Sequence, residues 1–174
     1  MVNMEPQHKI SSTSDILTVP PSFTHQQQSD PSTMICFLAA AVPVSVNARS
    51  KSKYKQALVT ALTRTHPTPP TLTGRLYGFA YYFHKQKTQL DADNLSKPIW
   101  DALNGHLYSD DKQIGIRYSG IFNLGGDISV LELTNMRADV LRTFLSMIQK
   151  EDHVLYIEVG KHNNKLFVFN GERL

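Results

Sequence analysis

Five aspartates fall within one short stretch of the chain: Asp91, Asp93, Asp101, Asp110 and Asp111. Hard carboxylate oxygens converging without His or Cys are ligands for Mg²⁺, with Mn²⁺ as a substitute, and water and a substrate phosphate complete the shell. An ion held this way polarises a phosphoryl oxygen, lowers the pKa of attacking water and stabilises a leaving oxygen. Asp93, Lys97 and Asp101 are four apart and so share one face of a helix, which lets Lys97 stand between two acids. A lysine there is a compact cation for transition-state charge. The chemistry predicted is metal-assisted phosphodiester hydrolysis. Each acid also has an ordinary reading, since Asp is favoured at N-caps and in turns. A DxD pair alone is a weak signal. DxDN-x₂-K, then a helix, then DD before a strand is a strong one.

The surrounding elements must bring these groups together. The spacing predicts an aromatic strand over 73–84, with Tyr77, Phe79, Tyr81 and Phe83 on one face and Leu76, Gly78, Ala80 and Tyr82 on the other. Asp91 and Asp93 follow it, and in an extended backbone a spacing of two points both carboxylates the same way. A helix is predicted over about 94–104, its stripe formed by Leu95, Ile99, Ala102 and Leu103, with its N-terminal dipole favouring the acids. Pro98 is placed near the first turn, and Asn104-Gly105 reads as the stop. Asp110 and Asp111 occupy a turn before a strand over 113–122.

Elsewhere, the run from Met34 to Val42 reads as a buried strand ended by Pro43. A helix over 50–65 carries Tyr54, Leu58, Ala61 and Leu62 on one face, and His66 to Pro70 form a loop. Strands are predicted over 128–133, 153–159 and 166–169, with a helix over 137–149. Residues 1–33, rich in Ser, Thr, Pro and Gln, read as a flexible tail with a short strand near 16–19. The class is α/β (α+β), one domain over 34–174 with a mixed sheet flanked by helices.

The chain has 174 residues, 41% of them hydrophobic, which suits a single domain with its own core. Its net charge is +3, and the charges are segregated. Residues 31–90 contain no Asp or Glu, but carry Arg49, Lys51, Lys53, Lys55, Arg64, Arg75, Lys85 and Lys87. A basic half followed by an acidic cluster fits phosphate binding beside a cation site. Arg49, Lys51, Lys53, Lys55, Lys85 and Lys87 are the candidate phosphate contacts. Trp100 and the aromatic strand are assigned to the core. One cysteine excludes an internal disulfide, and no Cys/His cluster suggests zinc. No apolar run is long enough to span a membrane, and a cytoplasmic protein is expected.

The segments Asp91-Ala92-Asp93-Asn94-Leu95-Ser96-Lys97, Asp101-Ala102-Leu103 and Asp110-Asp111-Lys112-Gln113-Ile114 resemble the RusA family of crossover junction endodeoxyribonucleases, whose pattern is DxDN-x₂-K, DAL, DD-x-Q-[IV]. Pro43-Val44-Ser45-Val46-Asn47 is similar to the family's Pro-x-Ser-x-Asn segment. The resemblance spans about residues 35 to 122. It implies metal-binding aspartates at Asp91, Asp93 and Asp111, a catalytic lysine at Lys97, and supporting positions at Asn94, Asp101 and Asp110. It also implies a Mg²⁺-dependent homodimer that nicks four-way (Holliday) junctions in pairs during recombination and repair. The N-terminal tail and a helix–strand extension over about 135–174 lie beyond the pattern. Two other readings compete: a protein that grips branched DNA without cutting it, and a metal-dependent phosphodiesterase acting on flaps or RNA.

Overall fold

An uninterrupted apolar run can be a strand only if both of its faces are covered. β1 (Met34–Ala39) meets that condition and is buried along its whole length. The computed structural model describes residues 34–45, 50–86, 90–126, 133, 136–162, 168–169 and 172–173. α1 (Lys51–Thr65) buries Tyr54, Leu58, Ala61 and Leu62, the stripe expected from the sequence. β2 (Leu76–His84), α2 (Ala92–Leu103) and β3 (Ile114–Asn123) follow, with one 3₁₀ turn, Asp111–Gln113, leading into β3. α3 (Ala138–Lys150) and β4 (His153–Lys161) come next.

The main sheet has the order β1-β4-β2-β3. β4 runs antiparallel to both β1 and β2, and β2 pairs with β3 in parallel. The sheet is therefore mixed, as expected, with α2 as the crossover between its parallel pair. The C-terminal segment supplies the strand that joins β1 to β2. α1 and α2 cover one face, where Leu58, Leu62, Ile99 and Leu103 meet Phe37, Ala80 and Ile157. α3 covers part of the other, where Phe144 meets Phe83 and Val154.

Some expectations are refined. β5 (Val168–Phe169) pairs with β6 (Glu172–Arg173) in a separate two-stranded sheet. The strand predicted near 16–19 and nearly all of that near 128–133 lie outside the described residues, as does the tail.

Trp100 is fully buried, in agreement with its assignment to the core, and glycine is what admits it. A Cβ on Gly78 would stand 2.8 Å from the indole Cη2. Gly78→Ala forces the ring or the strand to shift. We expect a cost of about 1–3 kcal/mol and a Tm lower by roughly 3–10 °C. A thermal melt matching the parent protein would show that the indole is not wedged against β2.

Candidate active site

α2 begins two residues earlier than the apolar stripe suggested, and this alters the geometry of the DxD pair. Asp91 is the N-cap, extended at φ −98° and ψ 163°, and Asp93 already lies in the first helical turn. The expectation that both carboxylates project from one extended strand is therefore corrected. Asp91 Oδ1 accepts a hydrogen bond from the Asn94 backbone N–H at 2.9 Å. Asn94 thus meets Asp91 through its backbone. Capping uses one oxygen of Asp91, and the Asp93 carboxylate makes no hydrogen bond or ion pair with a described residue. Both residues are exposed at the positive end of the α2 dipole. Pro98 falls inside the helix rather than near its first turn. It leaves the Asn94 carbonyl without its usual donor and is buried against α1.

Lys97 does not stand between two acids. Its Nζ pairs with Asp101 Oδ1 at 3.0 Å, and both side chains are about half exposed, at 53% and 50%. An exposed pair of this kind adds little stability, so little holds Lys97 to Asp101.

The two acids of the Asp110-Asp111 pair do different work. Asp110 Oδ1 caps the 3₁₀ turn by accepting from the Lys112 N–H at 2.9 Å. Gln113 completes the turn: its Oε1 accepts from the Ser109 and Asp110 N–H groups, and its Nε2 donates to the Leu72 and Gly74 carbonyls. Asp111 is then turned toward Arg117, whose Nη2 donates to the Asp111 carbonyl at 2.8 Å and to Oδ2 at 3.3 Å.

Within one chain the acids form two groups. The Tyr108 hydroxyl donates to the Trp100 carbonyl at 2.8 Å. Burial raises the Tyr108 pKa most, and the Asp111 charge raises it next, with a smaller contribution from Asp101. Tyr108, three residues before Asp111, is thus tied to the C-terminal half of α2, whereas Asp91 caps its N-terminus. Ten residues of helix separate Asp91 from Asp101, which is about 15 Å. Consistent with this, no group of three or more His, Cys, Asp or Glu side chains among the described residues is placed to hold a metal ion. The oxygen donors suit Mg²⁺ in kind, with Asp91 at the N-terminus of α2 and Asp111 in the turn that follows its C-terminus.

The basic candidates are distributed as follows. Lys51, Lys53 and Lys55 are exposed on α1. Lys51 and Lys55 line a cleft of about 290 Å³ with Tyr54, Pro98, Asp101 and Ala102, which brings them to the Lys97–Asp101 pair. Lys53 faces away, beside Val42 and Val44. Lys85 Nζ donates to the Gln149 carbonyl at 3.2 Å, at the C-terminus of α3. Gln86 Nε2 donates to Asp152 Oδ2 at 2.7 Å, so the turn between α3 and β4 holds the segment that leads to Asp91. Arg49 and Lys87 lie outside the described residues.

Arg117 was not among the candidates read from the sequence. In a regular strand Ile114 and Arg117, three apart, face opposite ways. The register of β3 slips by one residue opposite Leu76 and Tyr77, which pair with Ile114 and Ile116. Gly115 is the extra residue, and this bulge carries Arg117 to the α2 face. The lone glycine after Ile114 was the only local sign of it.

Comparison with known protein families matches residues 24–119 to the family described as endodeoxyribonuclease RusA. No curated protein matches the chain. Among the described residues no helix is long and apolar enough to cross a membrane.

Proposed function

Because the chain belongs to the RusA endodeoxyribonuclease family, we propose that it is a Mg²⁺-dependent Holliday junction resolvase acting as a homodimer. The observation that carries this reading is the intact set Asp91, Asp93, Lys97 and Asp111, all placed at solvent-accessible positions around α2.

Asp91, Asp93 and Asp111 would hold the ion, which when bound supplies Lewis-acid activation of the phosphoryl group and of water. Lys97 contributes a mobile cation. Released from Asp101, its ammonium meets negative charge developing on the phosphate. Lys51 and Lys55 line the adjoining cleft and hold the DNA backbone by charge. The separation of Asp111 from Asp91 along α2 supports a site shared between two copies, Asp91 and Asp93 from one and Asp111 from the other. A two-fold axis then yields two such sites, matching two scissile bonds in a four-way junction.

The experiment incubates the full chain with a labelled four-way junction and a matched duplex, in Mg²⁺ or in EDTA. Symmetric nicks in the junction alone, lost in EDTA, are expected. Binding without a metal-dependent cut would instead make the protein a structure-selective binder, and cutting of flaps or RNA in preference would reassign the substrate. Mixing tests the shared site. Asp93→Asn and Asp111→Asn proteins should each be inactive, while their mixture should regain single nicks, because a mixed dimer keeps one intact shared site. A mixture as dead as its components would place all three acids of each site in one chain.

A further inference from the structure

A guanidinium carries five N–H donors in a planar fork. In Arg117 the Nη2 group serves both the Asp111 carbonyl and the Asp111 carboxylate. The Nε and Nη1 donors make no hydrogen bond with a described residue, and 32% of the side chain is exposed. We propose that Arg117 is a positioning and phosphate-binding residue of this site: it orients the Asp111 carboxylate and offers its remaining donors to the DNA phosphate beside it.

Three observations support both parts. The first is aim. Only the bulge at Gly115 puts Arg117 on the same face as Ile114, Trp100 and the Asp111 turn. Bulges of this kind re-aim a side chain, often next to an active site.

The second is grip. The paired contacts to carbonyl and carboxylate fix the rotation of Asp111 about its own backbone. Asp110 and Gln113 hold only the turn beneath it.

The third is charge. A site built of carboxylates must admit a phosphate, and an arginine at 3.3 Å from Asp111 offsets one negative charge there. The Arg75 guanidinium lies over the same bulge, 3.5 Å from where a Gly115 Cβ would stand, and adds a second cation to this edge.

The inference rests on the nuclease reading for its cleavage arm but not for its binding arm. Binding is measured first, in EDTA, on the Asp93→Asn protein with and without Arg117→Ala, using the four-way junction over a salt titration. Loss of one phosphate contact should reduce the slope of log K against log salt by about 1. Arg117→Lys should keep the slope. Cleavage is then measured in Mg²⁺ on the otherwise wild-type protein. Arg117→Ala should lower the rate by about 10²-fold. Arg117→Lys should restore it only in part, because an ammonium on a flexible stem has no planar fork with which to orient Asp111 and keep further donors aimed at a phosphate.

An unchanged salt slope, or cleavage by Arg117→Ala within twofold of the parent, overturns the proposal. Full rescue by lysine removes the positioning role. If the alanine variant melts early, Arg117→Gln, which keeps a planar donor without the charge, carries the same comparison. A parent protein that binds junctions but never cuts them would overturn the nuclease reading, and the salt slope would still decide on Arg117.

Discussion

Asp91→Asn is expected to abolish junction cleavage and leave thermal stability unchanged. The two halves of that result separate two jobs of one side chain. Asp91 caps α2 through a 2.9 Å hydrogen bond from the Asn94 N–H. Asn caps a helix about as well as Asp, so the fold keeps its support. The substitution removes the negative charge that a divalent cation needs and replaces one ligand oxygen by an amide. Charge stabilisation worth several kcal/mol goes with it, so the rate should fall by at least about a thousandfold. Asp91→Ala should lose cleavage to the same degree and also about 1 kcal/mol of stability, because the cap is gone. Rates on a labelled four-way junction and thermal melts of the three proteins make the comparison. An asparagine variant that cuts at the parent rate would reduce Asp91 to a capping residue and leave the metal site without one of its acids.

The second large effect concerns folding. A chain ending after Gly126 keeps the segment that matches the RusA family, residues 24–119, yet it should not fold. The removed portion contains α3 and β4, and β4 lies between β1 and β2. Without it β1 has no described strand to pair with and β2 loses one of its two neighbours. Leu155, Ile157 and Val159 leave the face covered by α1 and α2, and Val154 and Tyr156 leave the other. Burial of each such side chain is worth about 1.5–3 kcal/mol, and a whole domain is stable by only about 5–15 kcal/mol. The truncated chain should show no cooperative urea or thermal transition by circular dichroism. A cooperative, native-like melt would show that the N-terminal three strands and two helices form a self-sufficient core.

These two experiments fall on either side of a boundary in what could be read without coordinates. The aspartates, Lys97 and their order were legible because they are chemical identities at fixed spacing, and spacing survives whatever the fold does. α1 was legible because Tyr54, Leu58, Ala61 and Leu62 repeat at the helical period and a helix satisfies its hydrogen bonds locally. The aromatic strand β2 was legible from its alternation and the mixed class from its succession of elements. The start of α2 was misplaced because the apolar stripe begins at Leu95, whereas the cap that starts the helix is polar and four residues earlier.

What only the tertiary structure decided is non-local. The place of β4 in the sheet depends on pairings with β1 and β2, the nearest of which, His84 with His153, spans 69 residues of chain. No window of sequence contains both partners. That Asp91 caps α2 while Asp111 sits in the turn into β3, paired with Arg117, is likewise not conveyed by spacing in sequence. The aim of Arg117 depends on one slipped residue in the β2–β3 register, and a one-residue slip reverses every facing that alternation predicts. By itself, the sequence determined which groups are present to do the chemistry. The packing of the sheet determined which of them meet, because hydrogen-bond register and side-chain burial are settled between strands and not along them.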